Sequence, residues 1–296
     1  MSIENSRTLR LVFPQWQGGV NPLYHLGSRL LAWLAPTPTG PVEEVPVIPP
    51  TGEALPVENG VVGRTVLLQQ LGKARELIDK HQPDRLVVLG GDCMIDLAPF
   101  AYLNERYEGD LAVLWVDAHP DIMTPAQFNR AHAMVLGCLL GHGDVEFQSA
   151  VARPLKPENV LYVGLHDPTD WEAGEMQRLG LRNVSPAMLA AEGNRPVLDW
   201  LASTGAKHVA IHLDLDVLDP VKFRSLLFAK PDGPAGEFEG VAQGELSIEA
   251  LVDLLQAVGR AKEVVGLGVA EHLPWEALAL QEMLAQLPLI GTPSED

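Results

Sequence analysis

The chain has 296 residues, 47% of them hydrophobic and 20% charged, and its 39 acidic against 21 basic side chains give a formal net charge of −18 at pH 7. That sign of charge speaks against nucleic acid and anionic membrane as partners, since both would be repelled, and it suits a cationic substrate or metal uptake. No uncharged apolar run reaches the roughly 18 residues of a membrane span. Residues 1–10 lack the apolar stretch of a secretory signal, and two cysteines, Cys93 and Cys138, suit a reduced, cytoplasmic interior rather than a disulfide framework.

In chain order, strand-like and helix-like segments alternate. Residues 9–13 read as a short opening strand, and 36–60, rich in Pro, Glu and Gly, as a surface loop inside a single domain spanning 1–296. Residues 65–81 place Leu67, Leu68, Leu71, Ala74 and Leu77 on one helical face. Residues 84–89 form a buried strand that ends in the tight turn Gly90-Gly91, and 111–116 a second buried strand ending at Asp117. Residues 131–140 are apolar enough for a covered helix, 160–163 read as a strand and 194–203 as a helix. After the strand 209–213 comes an exposed loop at 230–244, then a helix at 247–258 capped by Ser247, then a strand at 264–269. Alternation of this kind, with continuous apolar strands, predicts an α/β fold with a mostly parallel sheet covered on both faces. Ligands of such sheets sit beyond the strand C-termini.

Three segments at predicted strand ends carry the chemistry. They are Gly90-Gly91-Asp92-Cys93, Asp117-Ala118-His119-Pro120-Asp121, and His212-Leu213-Asp214-Leu215-Asp216 with Asp219-Pro220 beyond it. In an extended segment side chains at i, i+2 and i+4 share one side, so Asp117, His119 and Asp121 face one point, as do Asp214 and Asp216. Carboxylates gathered so closely do not stay ionised together without cations between them. Hard oxygens with one or two imidazoles suit Mn²⁺, and also Fe, Co, Ni or Zn. A lone Asp-x-His is ordinarily a surface turn. Two multi-acid motifs that each follow an apolar strand are a different case, because buried charge is costly unless paired or metallated.

These residues resemble the arginase and agmatinase family of ureohydrolases. The resemblance rests on Asp117-Ala118-His119-x-Asp121 followed by Thr124-Pro125, on Asp214-x-Asp216-x-x-Asp219-Pro220, on Gly90-Gly91-Asp92, and on residues 264–274 with Gly268 and Glu271. It implies a three-layer α/β/α fold with a doubly wound sheet, a binuclear manganese site, and hydrolysis of a guanidino or amidino C–N bond by a metal-activated hydroxide. Carried over by motif, Asp117 and Asp214 would bridge both metals, and His119 and Asp216 would complete one site. Asp121 would serve the other and carry a proton to the leaving amine. Glu271 would bind the planar cationic group of a small guanidino or amidino substrate. His132 falls where the family has a proton-shuttling histidine, and Asp219 would support the ligands from behind. The resemblance also implies a homo-oligomer, a trimer or hexamer.

Two departures from the family pattern qualify that reading. Where a histidine ligand follows Gly-Gly-Asp in the family, this chain has Cys93. A thiolate suits a softer ion such as Zn²⁺, Ni²⁺ or Fe²⁺ better than Mn²⁺. The alternatives are an unligated, packed thiol beside a weak or empty first site, or a chain that has lost catalysis and acts as a binding or assembly protein. His212 shares a strand side with Asp214 but lies one alternation deeper, so contact from behind the ligands is expected of it rather than ligation. After Asp121 the chain reads Ile122 to Arg130 without the Ser-Gly-Asn stretch by which arginases grip an amino-acid carboxylate, so L-arginine is not the assumed substrate. Asn129 is the candidate to compensate. Asp167, after the strand at 160–163, is a candidate substrate contact or a loop cap.

Overall fold

The computed structural model describes residues 7–231, 233–234, 236–287 and 289–290. The first six residues, part of the segment in which no secretory signal is expected, lie outside the described residues, as do 232 and 235 in the expected 230–244 loop.

Among the described residues ten strands form, in the order β1 Thr8–Phe13, β2 Val42–Glu44, β3 Val57–Glu58, β4 Val61–Val62, β5 Arg85–Gly90, β6 Leu111–Val116, β7 Val160–Val163, β8 Arg182–Val184, β9 His208–Asp214 and β10 Glu263–Ala270. The helices are α1 Tyr24–Leu34, α2 Arg64–His81, α3 Leu97–Arg106, α4 Val135–Leu139, α5 Val145–Gln148, α6 Asp170–Leu179, α7 Pro186–Glu192, α8 Arg195–Thr204, α9 Ile248–Ala261 and α10 Trp275–Gln286. Eight strands make one parallel sheet in the order β2-β1-β5-β10-β9-β6-β7-β8, while β3 and β4 pair as a separate hairpin.

The sheet is parallel because its strands are apolar on both faces. In β6 every residue is buried, and the faces alternate: Leu111, Val113 and Trp115 join a core with α2, α3 and α4, whereas Ala112, Leu114 and Val116 join a second core with α8 and α9. Those two cores make the three layers of the α/β/α arrangement. The four strands whose ends carry the acidic motifs, β5, β10, β9 and β6, are adjacent at the sheet centre. Neighbouring strands lie about 4.8 Å apart, so segments distant in sequence arrive at one rim.

The expected surface loop at 36–60 is not wholly loop. Its Val42–Glu44 pairs in parallel with β1 as the sheet's edge, and Val57–Glu58 enters the hairpin. A three-residue edge strand with two glutamates is too short to show a period, and its charge protects an open edge from pairing with other chains. The helix expected over 131–140 splits into a 3₁₀ turn, Ala131–Met134, followed by α4. The neighbouring segments take its backbone groups: His132 N donates to Gly18 O, Met123 N to Ala133 O, and Gly137 N to Asp121 O.

At the end of β5 a glycine is obligatory. A Cβ on Gly91 would lie 1.6 Å from Gln15 O, an oxygen that accepts from Asp92 N. Gly91→Ala is therefore expected to destabilise the chain by about 3 kcal/mol, the upper end of overpacking costs, read from the midpoint of denaturant unfolding.

Candidate metal centre

Each motif reaches the rim by a local device. Past β5, Asp92 accepts from Gly18 N (2.9 Å), Gly19 N (3.2 Å) and Met94 N (3.1 Å), which anchors the residue 15–19 loop and turns Cys93 inward. The Cys93 thiol donates to Asp214 Oδ2 at 2.8 Å and lies 3.6 Å from Glu271 Oε1. At the ends of β6 and β9 the same turn occurs twice: Asp117 Oδ1 accepts from His119 N (2.7 Å) and Asp214 Oδ1 from Asp216 N (2.8 Å). An Asp that bonds the backbone two residues on closes such a turn and leaves its second oxygen for another partner. Trp115 Nε1 steadies that second oxygen of Asp117 at 3.1 Å. His119 Nδ1 lies 2.9 Å from Asp216 Oδ2 and 3.6 Å from Asp117 Oδ1.

Asp121 and Glu271 sit in the left-handed region, at φ 52° and 63°. Such non-glycine conformations cost about 1–3 kcal/mol each and gather at functional sites, where surrounding contacts enforce them. For Glu271 those contacts are Gly91 O, which accepts from its N–H at 2.6 Å, and the Tyr24 hydroxyl, which donates to Oε2 at 2.6 Å.

Three sets of donor atoms lie within 4.8 Å of one another: Cys93, Asp117, His212 and Asp214; Asp117, His119 and Asp216; and Asp214, Asp216 and Glu271. Asp121 joins none of these sets, but its buried Oδ2 has no hydrogen-bond partner. All these side chains are buried except His119, 30% exposed, so the cluster opens to solvent on the His119 side.

The electrostatics follow from crowding five carboxylates into one buried place. Burial, then the charges of Asp216, Glu271 and Asp117, hold the Asp214 carboxyl well above the usual range. Asp121 is raised in the same way by burial and Asp117, and Asp117 by burial and Asp216. Glu271 is pushed up to about 8 by burial and the Asp216 charge. Burial also pushes Asp216 up, but the adjacent His119 cation and hydrogen bonds outweigh it and hold its carboxyl low. Burial alone would lower His119; Asp216 and Asp117 reverse that and keep its proton well above the usual range. Among the described residues His119 and His212 are the only basic groups within 4.0 Å of these carboxylates.

Not every expected residue joins the cluster. His132 is partly buried, with Nδ1 bonded to Gly18 O at 3.0 Å, and burial pushes its imidazole down to about 4. Asn129 is exposed on the loop after Asp121, its carbonyl accepting from Val62 N. The Asp167 side chain is 90% exposed, 3.2 Å from His166 Nδ1, at the edge of a groove shared with Asp219 and residues 240–245. Asp219 does not back the ligands as expected: its carboxylate accepts from Val221 N and pairs with Lys222 at 3.0 Å, closing the turn that Pro220 begins. Sequence reasoning missed Tyr24 and Asp96 altogether, and it set His212 behind the donors, whereas the structure groups it with Cys93, Asp117 and Asp214, its Nε2 3.8 Å from Asp117 Oδ2.

The donor set fits divalent metal. His119 Nε2, His212 Nε2 and Asp121 Oδ2 are buried without a hydrogen-bond partner, and unpaired buried polar groups cost free energy unless a cation or water completes them. Oxygen donors dominate, with two imidazoles and one thiol, the mixture that borderline divalent ions accept.

Residues 52–234 match the family model described as Arginase family. An arginase of Staphylococcus aureus (strain MRSA252) is 29% identical over 145 residues, covering 46% of this chain and 47% of that protein, so the match spans about half the length of such curated relatives. The crystal structure of Bacillus subtilis arginase superposes with a TM-score of 0.72 at 20% identity over 96% of this chain and 99% of that one. The structure of Entamoeba histolytica arginase in complex with L-ornithine gives 0.68 at 22% identity, over 93% of each chain.

Proposed function

The chain belongs to the arginase family, and from that premise we propose that it is a metal-dependent hydrolase of a guanidino or amidino C–N bond. The observation that carries the reading is the joint arrival of Asp117, His119, Asp214, Asp216 and Glu271 at one buried point, with ring and carboxylate atoms left unpartnered. In this reading Asp117 and Asp214 would hold both of two ions, with His119 and Asp216 at one site and Asp121 and Cys93 at the other. The bound metal, Mn²⁺ or, with Cys93 ligating, Zn, Ni or Fe, supplies Lewis acidity and makes water a nucleophile near neutral pH.

The remaining steps belong to the chain's own side chains. Glu271, with Oε2 held by Tyr24, presents Oε1 to a planar cation and loses its proton on pairing with it. His132, neutral at pH 7 and bonded through Nδ1 to Gly18 O, keeps Nε2 as a proton acceptor, and Asp121 delivers a proton to the leaving amine. Asn129 and Asp167 at the rim contact the substrate's tail. The protein works as a single-domain, cytoplasmic homo-oligomer, a trimer or hexamer.

The test is a screen of arginine, agmatine, guanidinobutyrate, formiminoglutamate and guanidine for urea, formamide or ammonia release, with the chain loaded in turn with Mn²⁺, Zn²⁺, Ni²⁺ and Fe²⁺. Turnover of one of them is expected, and Glu271→Gln is expected to lower its kcat/KM about 100-fold or more, the cost of an unpaired buried charge partner. Silence across the whole panel with every metal would overturn the reading.

One observation favours a second reading, a catalytically degenerate member that acts as a binding or assembly protein with one weak metal site or none. The Cys93 thiol donates its proton to Asp214 Oδ2, and burial with the charges of Asp214 and Glu271 raises it well above the usual thiol range. A proton there does part of a cation's work. Elemental analysis after metal soaking separates the two readings: two ions per chain support the enzyme, and a small fraction of one supports the degenerate member.

A further inference from the structure

Asp96 and His212 are fully buried, 0% exposed each, with Asp96 Oδ2 2.7 Å from His212 Nδ1. With Asp96 ionised, the proton of that contact sits on Nδ1, since a carboxylate only accepts. The other ring nitrogen, Nε2, is buried with no hydrogen-bond partner and lies 3.8 Å from Asp117 Oδ2. A pair retained only for packing would not leave a lone pair aimed at three acidic groups. We propose that His212 is itself a metal ligand: with Cys93, Asp117 and Asp214 it forms one four-donor site, so that an imidazole from β9 replaces the one missing after Gly90-Gly91-Asp92. The inference rests on the reading that this centre binds divalent metal, and it goes beyond that reading by reassigning the ligands of one of its two sites.

The sheet register is built around this ring. Trp115 on β6 is directly opposite His212, and the two rings stack at 3.8 Å with 13° between their planes. On the other side the register partner is Gly268 of β10. A Cβ on Gly268 would lie 1.9 Å from Asp96 Oδ2, so this glycine is the slot through which Asp96 reaches the imidazole. Asp96 ends the 3₁₀ turn Cys93–Asp96, so one turn delivers both the thiol to the donor cluster and the carboxylate to His212. Carboxylate behind imidazole is the arrangement that fixes a metal-binding tautomer and raises ligand basicity. One donor atom from each of Cys93, Asp117, His212 and Asp214 lies within 4.8 Å of the others, and His212 Nε2 is 3.8 Å from Asp117 Oδ2. One thiolate and one imidazole make this site softer than an all-oxygen site, which favours Zn²⁺, Fe²⁺ or Co²⁺ over Mn²⁺.

The test is cobalt titration of the metal-free full chain, read by equilibrium stoichiometry and by the thiolate-to-cobalt charge-transfer band in the near ultraviolet. The wild type is expected to take up two ions per chain and to show the band. His212→Asn keeps a side-chain amide for Asp96 but has no Nε2; it is expected to bind one of the two ions more than about 100-fold more weakly and to lose or shift the band. Asp96→Asn keeps the imidazole and is expected to weaken the same ion about 10–100-fold. Nitrogen-15 NMR of the histidine-labelled wild type needs no substitution: zinc is expected to shift His212 Nε2 while Nδ1 keeps its proton. Two ions at unchanged affinity with an unchanged spectrum in His212→Asn, or an Nε2 resonance indifferent to saturating zinc, would overturn the ligand assignment alone. A wild type that takes up no ion would overturn the metal reading along with it.

Discussion

Exchanging Asp214 for asparagine is expected to have two opposite effects, a loss of turnover of about a thousandfold and a metal-free chain that is more stable than the wild type at pH 8. The first follows from position. Asp214 ends the central strand β9, holds the backbone of Asp216 through Oδ1, and, like Asp117 and Asp216, belongs to two of the three donor sets. An amide keeps the acceptor for Asp216 N but removes the charge that would hold both ions, and the several kcal/mol a metal supplies correspond to about three decades of rate at 1.36 kcal/mol each. The second effect follows from crowding. Burial and the charges of Asp216, Glu271 and Asp117 all oppose ionisation of Asp214, and replacing buried charge by neutral groups has stabilised other proteins by about 1–4 kcal/mol. Steady-state kinetics with the substrate found by screening, and denaturant melts in a chelator at pH 8, measure the two effects. A variant that is both inactive and less stable would show that Asp214 serves the fold rather than the metals.

The layout of the sheet was legible because periodicity reports faces. The apolar runs ending at Asp117 and Asp214 are two-faced buried strands, which puts both motifs at the same rim. The pairing of Asp117 with His119 and the placing of Asp214 with Asp216 come from turns past the strand ends rather than from extended i, i+2 alternation. Periodicity does not report neighbours. Tyr24 reaches Glu271 across 247 residues and Asp96 reaches His212 across 116, contacts that depend on strand order and register rather than on any local pattern. The spacing of His212 put it one alternation behind Asp214, but its surroundings depend on what lies beside it: Trp115 on one strand and Gly268 on the other. Gly268 was visible as a motif residue, yet its reason, room for a carboxylate from the turn after β5, appears only once β5 and β10 are paired. Asp219 was misplaced for a related cause. The residues after it supply a nearer donor and a lysine, so a carboxylate in an acidic motif was satisfied by its own turn.

The metal-free chain is expected to lose stability as pH rises from about 6.5 to about 8, and divalent metal to restore it most at the upper end. The sign comes from which groups hold protons in the folded state. Glu271 is raised from 4.5 to about 8, and Asp117, Asp121 and Asp214 are raised as well. A group raised on folding contributes stability in full below its unfolded value, and that contribution is lost as pH climbs through the folded value. His119 is raised too, so it acts in the same direction. Asp216 is lowered from 3.8, so its contribution is lost only in more acidic solution. His132, lowered from 6.5 to about 4, works the other way, but its effect is complete by about pH 6.5, as are those of His25 and His272, also lowered from 6.5. Between about 6.5 and 8 the cluster acts alone among these groups, and Glu271 by itself accounts for a change on the order of a few kcal/mol. Metal binding requires deprotonated donors, so its affinity grows over the same interval. An ion at 100 times its Kd adds about 2.7 kcal/mol to the folded state. Denaturant melts at pH 6.5, 7.2 and 8.0, with chelator and then with excess Zn²⁺ or Mn²⁺, are expected to show a falling series that metal flattens or reverses. A chelated series that stays level, or a pH 8 midpoint indifferent to metal, would mean that the five carboxylates share their protons with something other than the sites assigned here.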